Sequence, residues 1–261
     1  MQRGFLENML NIKLLGHAHF YFSDQPPNQI RSSLGCALFG YLIRQPGPVN
    51  RTELSELFWP DLPSAEAKTY LRNVLRRLKV HFDPWIRYDR KTAWVELDDQ
   101  CRVDLLEIEA VLDALQGKEI GSILQTEVND YKRILSKYEP FMKNFRHTKS
   151  DVFLRWLDDE DQKIQERVMR GYVLIAHHQL VNRRYEGGLA VGKRMMEIDE
   201  SDPKAWKVMM QCHYMMGNFN QSQLAFERFE SQHSGKHPDV AGAMELLQLY
   251  REIGRVDLDR Y

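Results

Sequence analysis

The residue types that could do chemistry concentrate in one stretch, SAEAKTYLRNVLRRLKVHF, Ser64–Phe82. At about 100° per residue, Thr69, Arg72, Asn73 and Arg76 share one face of a helix, with Lys68, Arg77 and Lys79 beside them. Arginine can read guanine and asparagine can read adenine through paired hydrogen bonds, and lysine or arginine can neutralise phosphate. Ala67, Leu71, Val74, Leu75, Leu78 and Phe82 fall on an apolar stripe that must bury against a partner layer. Ser64 reads as the N-cap after the extended Pro63, and Glu66 suits the positive end of the helix dipole. At about 1.5 Å per residue the helix is roughly 28 Å long, a suitable length for a major groove. A helix with a merely solvated face carries the same pattern, so the neighbouring elements must decide.

A second basic group follows. In WIRYDRKTAWVEL (Trp85–Leu97), apolar alternation on both sides of DRKT predicts a β-hairpin whose tip carries Arg90, Lys91 and Thr92, with Arg87 on its first strand. These side chains could meet phosphate or a minor groove. Upstream, Asn11–Phe22 reads as two short strands and IRSS (Ile30–Ser33) as a third. LGCALFGYLIRQPG reads as a helix in which Gly35 and Gly40 weaken the helix or permit close packing. A second helix opens at PVNRTELSELFW, with Asn50 as N-cap and Glu53 as its capping-box partner. PDLP (Pro60–Pro63) is a tight turn, and Trp59 reads as its core anchor. Strands, helix, helix, turn, long helix and basic hairpin make the plan of a winged helix-turn-helix. The charge is local. The chain of 261 residues has a net charge of −1, yet Ser64–Phe82 has five Lys/Arg against one Asp/Glu.

The run QPGPVNRTELSELFWPDLPSAEAKTYLRNVLRRLKVHF resembles the DNA-binding domain of the Streptomyces antibiotic regulatory protein family. Pro46-Gly47, Val49, the Arg51–Asp61 run and the Ala67–Lys79 run carry the resemblance. It implies an OmpR-like winged helix preceded by a strand platform. It also implies a second, helical domain, the bacterial transcriptional activation domain. VDL followed by a helix, KYEPFMKNF and FLRWLDDEDQKIQERV resemble that domain's landmarks, and the resemblance covers nearly all of residues 10–255. The implied partners are double-stranded promoter DNA, RNA polymerase and a second copy in a homodimer.

The second half repeats itself. Arg183–Pro203 aligns with Gly217–Pro238, pairing Tyr185 with Phe219, Val191 with Ala225, Met195 with Phe229 and Tyr172 with Trp206, each 34 residues apart. That period in helical sequence resembles the tetratricopeptide repeat, whose helix pairs bury their apolar faces by stacking. The expected fold is mainly α with a small β component: a winged helix-turn-helix over 1–100, then an all-α repeat domain over 101–261.

No nucleotide-loop, zinc-protease or nucleophile-elbow motif occurs, so no enzyme, cofactor or metal is expected. His177, His178 and His213 read as core-edge or surface histidines. LDDEDQ (Leu157–Gln162) reads as a helix surface or end, because its spacing fits no calcium loop. Met195-Met196, Met209-Met210 and Met215-Met216 read as repeat packing or an adaptable groove. Trp85 and Trp94 read as braces of the hairpin. Three scattered cysteines argue for a reducing compartment, and no apolar run reaches membrane length. A cytosolic protein without a membrane partner is expected. Two readings stay open: a sequence-specific transcription activator, and a protein-interaction scaffold or piece of a larger sensor. The first needs the arginine face and the hairpin tip together; a scaffold does not.

Overall fold

The structure is a computed structural model and describes residues 9–23, 33–119, 122–146 and 149–233. The chain forms two compact units. One comprises 1–109 and 138–164, the other 110–137 and 165–261.

The first unit begins with a three-stranded sheet. Strand β1 (Leu10–Lys13) pairs antiparallel with β2 (His19–Phe22) and parallel with β6 (Cys101–Val103). The expected strand at Ile30–Ser33 falls largely outside the described residues, and Ser33 itself begins helix α1 (Ser33–Ile43). The third strand of the platform is β6, whose last residue, Val103, begins the VDL that reads as the entry to the next domain. Asp104, directly after β6, accepts hydrogen bonds from the Leu14 and Leu15 amides at 2.8 and 3.3 Å. Burial raises the pKa of its carboxyl, while the amides it accepts from pull the other way.

Helix α2 (Arg51–Phe58) starts where expected, with the Asn50 side chain accepting from the Thr52 amide. Helix α3 (Ser64–Phe82) has the expected bounds, but its N-cap is Pro63 and carries no side-chain cap, so Ser64 is the first helical residue. Its whole predicted stripe is buried: Ala67, Leu71, Val74, Leu75, Leu78 and Phe82. Phe82 stacks on Phe39 of α1 at 4.2 Å, and Phe20 of β2 meets both rings edge-on. Burying large side chains of this kind stabilises by about 1.5–3 kcal/mol each. That is what fixes α3 against α1 and the platform. The hairpin follows as β4 (Ile86–Tyr88) and β5 (Thr92–Val95). A short β3 (Val49–Asn50) completes its sheet in the order β3-β5-β4.

Residues 138–164 close this unit. Met142 and Lys143 donate backbone hydrogen bonds to Leu14 and Gly16 at 2.7 and 2.8 Å. A Cβ on Gly40 would meet the Met142 sulfur at 2.8 Å, so this glycine permits close packing. The start of helix α6 (Asp151–Val181) brings Phe153 onto Phe58 and Trp156 onto Tyr41, at 4.9 and 4.6 Å. Arg44 at the end of α1 pairs with Glu109 at 3.0 Å and Glu160 at 2.6 Å. Packing therefore groups 138–164 with the platform and helices, whereas the sequence reading draws its division at residue 100.

The second unit is helical. It holds the later part of α4 (Asp104–Gln116), then α5 (Gln125–Leu135), the later part of α6, α7 (Tyr185–Ile198), α8 (Pro203–Met215) and α9 (Phe219–His233). Tyr172, Trp206, Val191, Ala225, Met195 and Phe229 are all buried, as the 34-residue offset requires, whereas Tyr185 and Phe219, which begin α7 and α9, are half-buried. The turns repeat as well. Arg184 donates to the Gln179 carbonyl at 2.8 Å and Arg183 to Leu180 at 3.0 Å; Asn218 donates to His213 and Gly217 to Tyr214, both at 2.9 Å. Each is a Schellman ending with its left-handed residue at Arg183 (φ 57°) or Gly217 (φ 76°). The last residues of the second aligned segment, 234–238, lie outside the described residues.

Candidate nucleic-acid interface

Burial of the α3 stripe forces the opposite face outward. Lys68, Thr69, Arg72, Asn73, Arg76 and Arg77 are exposed, and Lys79 is half-buried. Lys68, Arg72, Arg76 and Arg77 have no ion-pair partner among the described residues. Lys79 differs, because it pairs with Asp83 at 3.2 Å. Thr69 donates its hydroxyl to the Ala65 carbonyl at 2.9 Å, so its methyl and oxygen lone pairs remain for a partner.

The hairpin tip is shaped by Asp89. Its carboxylate accepts from the Lys91 and Thr92 amides, both at 2.7 Å, and from the Thr92 hydroxyl at 3.2 Å. The Thr92 amide first, then that of Lys91, holds the Asp89 carboxyl below the usual aspartate value. This turn leaves Arg90 and Lys91 exposed, with no ion-pair partner among the described residues. Thr92 is half-buried and committed to Asp89. Arg87, also half-buried, sits 3.5 Å from Glu96. The eleven expected site residues thus fall into two sets. Arg72, Asn73, Arg76, Arg77, Lys68, Arg90 and Lys91 are free to engage an anion, while Lys79, Arg87, Thr92 and the Thr69 hydroxyl already hold a neighbour.

Helix and tip meet in one open concavity of 490 Å³. Arg51, Lys68, Arg72, Arg90 and Lys91 line it together with Asn50, Thr52 and Leu71, and no carboxylate is among them. Five cations around one recess make a seat for an anion. Arg51 was missed by sequence reasoning. The signal for it was a cation in the first turn of α2, where the helix dipole favours an acid. Val80 was missed too. It is the most exposed large apolar side chain among the described residues at 78%, and it lies in the angular range of Arg76, Thr69 and Asn73.

The tryptophans brace the hairpin and the turn. Trp85 is buried and donates to Asp98 at 2.8 Å, and Trp94 donates to Glu96 at 2.8 Å. Trp59 is no core anchor: it is half-buried and lies near-parallel to the exposed Tyr70, with ring centres 6.1 Å apart. His178 is a satisfied core histidine, bonded to the Ile123 carbonyl at 2.9 Å. Asp158 and Asp161 of the acidic run meet Arg146, but the run is not simply a helix surface: the Asp161 and Glu160 side chains are only 13 and 12% exposed, and Asp161 accepts from the Phe141 amide at 2.7 Å. Among the described residues no cluster of His, Cys, Asp or Glu could hold a metal ion, and no helix is long and apolar enough to cross a membrane.

No model of a known protein family matches the chain, and neither does any curated protein. Among solved structures, that of Mycobacterium tuberculosis EmbR in complex with a low-affinity phosphopeptide is similar, with a TM-score of 0.74 at 16% identity. The match covers 95% of this chain and 66% of the EmbR chain. EmbR is a Streptomyces antibiotic regulatory protein-type regulator with a winged helix and a bacterial transcriptional activation domain. The chain has that fold: a small β component and a winged helix followed by tetratricopeptide-like helices.

Proposed function

We propose that this chain is a sequence-specific, DNA-binding transcription regulator of the Streptomyces antibiotic regulatory protein type. It binds promoter duplex through α3 and the hairpin and acts as an activator. The helical unit assembles a homodimer or contacts RNA polymerase. The observation that carries the reading is the recess that α3 shares with the hairpin tip, lined by five cations and no acid. Beside it, Arg72, Asn73 and Arg76 stand exposed on a helix of groove length. Arg72 and Arg76 read guanine edges, Asn73 reads adenine, and Arg90 and Lys91 hold phosphate. The resemblance of the Arg51–Lys79 run and the EmbR-like fold support the same reading from independent directions. No part of it calls for catalysis.

The test is selection from a random duplex library with the full chain, followed by affinity measurements on the selected site. The reading expects one enriched sequence and a binding constant that falls steeply with salt. Recovery of no preferred sequence, with binding no better than to arbitrary duplex, would remove it.

A further inference from the structure

Arg51 begins α2, yet the helix does not need it there. The Thr52 amide is served by the Asn50 side chain at 2.8 Å, and the Arg51 amide itself donates to the Lys91 carbonyl at 2.8 Å. What the guanidinium touches belongs to the hairpin. Its Nη1 donates to the Asp89 carbonyl at 2.6 Å, and its central carbon lies 5.8 Å from the centre of the Tyr88 ring. Main chain and side chain of one residue thus grip Tyr88, Asp89 and Lys91, on both sides of Arg90. The Asp89 turn shapes the tip from within, but its bonds run from hairpin to hairpin and fix nothing to the helices. Arg51 does make that link, and it lines the same recess as Lys68 and Arg72. A planar guanidinium can hold a carbonyl and cover a ring at once, whereas an ammonium offers a single compact charge.

We propose that Arg51 is a positioning residue: it holds the hairpin tip at a fixed offset from α3, so that Arg90 and Lys91 reach the duplex backbone while Arg72 enters the groove. The proposal rests on the DNA-binding reading of the interface, and its test has an arm that needs no DNA. Trypsin cuts after Arg90 and Lys91, so the rate of cleavage there in the full chain reports how firmly the tip is held. Arg51→Met should be cut there several-fold faster, and Arg51→Lys should also exceed the parent. On the selected duplex, Arg51→Met should weaken binding by about tenfold, a common size for coupled sites. Arg51→Lys should recover only part of that. When Arg90 and Lys91 are already alanine, adding Arg51→Met should cost less than about twofold, because the two changes act through one element. Unchanged cleavage would overturn the proposal whatever the DNA result. A full tenfold loss in the Arg90→Ala/Lys91→Ala background, or full recovery by lysine, would also overturn it, making Arg51 an ordinary phosphate contact. If the parent chain binds no duplex, the functional reading fails on its own, and the cleavage rates still decide whether Arg51 holds the tip.

Discussion

The same residue type is used in opposite ways in two regions of the molecule. In the helical segments a set of arginines meets carboxylates: Arg44 holds Glu109 and Glu160, Arg146 holds Asp158 and Asp161, Arg167 holds Asp113, and Arg194 holds Glu197, while the exposed Arg155, Arg170 and Arg228 meet none among the described residues. On α3 and the hairpin tip, Arg72, Arg76, Arg77 and Arg90 meet none among the described residues. The chain is almost neutral, with a net charge of −1, so what sets α3 and the tip apart is a local grouping of unpaired cations around one recess and not an excess of charge. Arginine that is paired holds the fold together. Arginine kept away from acids can release counterions from a polyanion.

The comparison breaks most sharply at Arg44. Its side chain and those of Glu109 and Glu160 are between 12 and 17% exposed. Arg44→Met leaves two carboxylates facing each other with little water, and should destabilise the first unit by about 3–5 kcal/mol, read by thermal or urea unfolding. Arg72→Ala and Arg76→Ala should do the reverse. Each should cost about 1–3 kcal/mol of discrimination on the selected duplex, while stability stays within about 0.5 kcal/mol of the parent. If Arg72→Ala or Arg76→Ala melts the domain and leaves binding alone, the grouping argument is wrong.

The tip should affect binding without choosing sequence. Arg90→Ala/Lys91→Ala should lower affinity for all duplexes alike and reduce the log–log salt slope by about 0.9 per lost phosphate contact. Lys79→Ala should change the slope less, because Lys79 already faces Asp83. The repeat turns provide the smallest contrast. Arg183 is a non-glycine residue at φ 57° where its counterpart is Gly217 at φ 76°. Gly217→Ala should destabilise by about 1 kcal/mol, and Arg183→Gly should be neutral or slightly stabilising in the same unfolding assay. Titration adds one more contrast at the tip. Asp89 has a lowered pKa, so its turn is intact above the ordinary aspartate range and opens only as the pH falls through the lower, folded value. The Thr92 amide resonance should report that midpoint, and Asp89→Ala should abolish it.

Much of this was legible in the sequence because it depends on local periodicity. The α3 stripe follows from one residue every 100°, and every stripe position is buried. The 34-residue offset located the paired core residues and, through Arg183 and Gly217, the paired turns. The rest depends on long-range partners. Strand β6 is three residues long, too short to alternate, and pairs with β1 some ninety positions upstream. Phe153 and Trp156 carry the same apolar pattern whichever unit they join, so the sequence could not assign them to Phe58 and Tyr41. Arg51 was invisible as a site residue because its partners are a carbonyl and a ring on a hairpin more than thirty residues away. The helix N-cap moved from Ser64 to Pro63 because the Pro63 carbonyl already accepts from the Glu66 and Ala67 amides at 2.9 and 3.0 Å.

The central claim is that unpaired cations on α3 and the tip bind duplex DNA while paired cations elsewhere do not. The most direct measurement is the salt dependence of affinity for the selected duplex in three full-length proteins. These are the parent, Arg72→Ala/Arg76→Ala/Arg90→Ala/Lys91→Ala, and Arg133→Ala/Arg167→Ala, which removes two acid-paired cations, one exposed and one half-buried. The account predicts that the first variant loses both affinity and most of the slope, and that the second keeps the parent's values. Equal losses in the two variants, or a parent slope near zero, would contradict it.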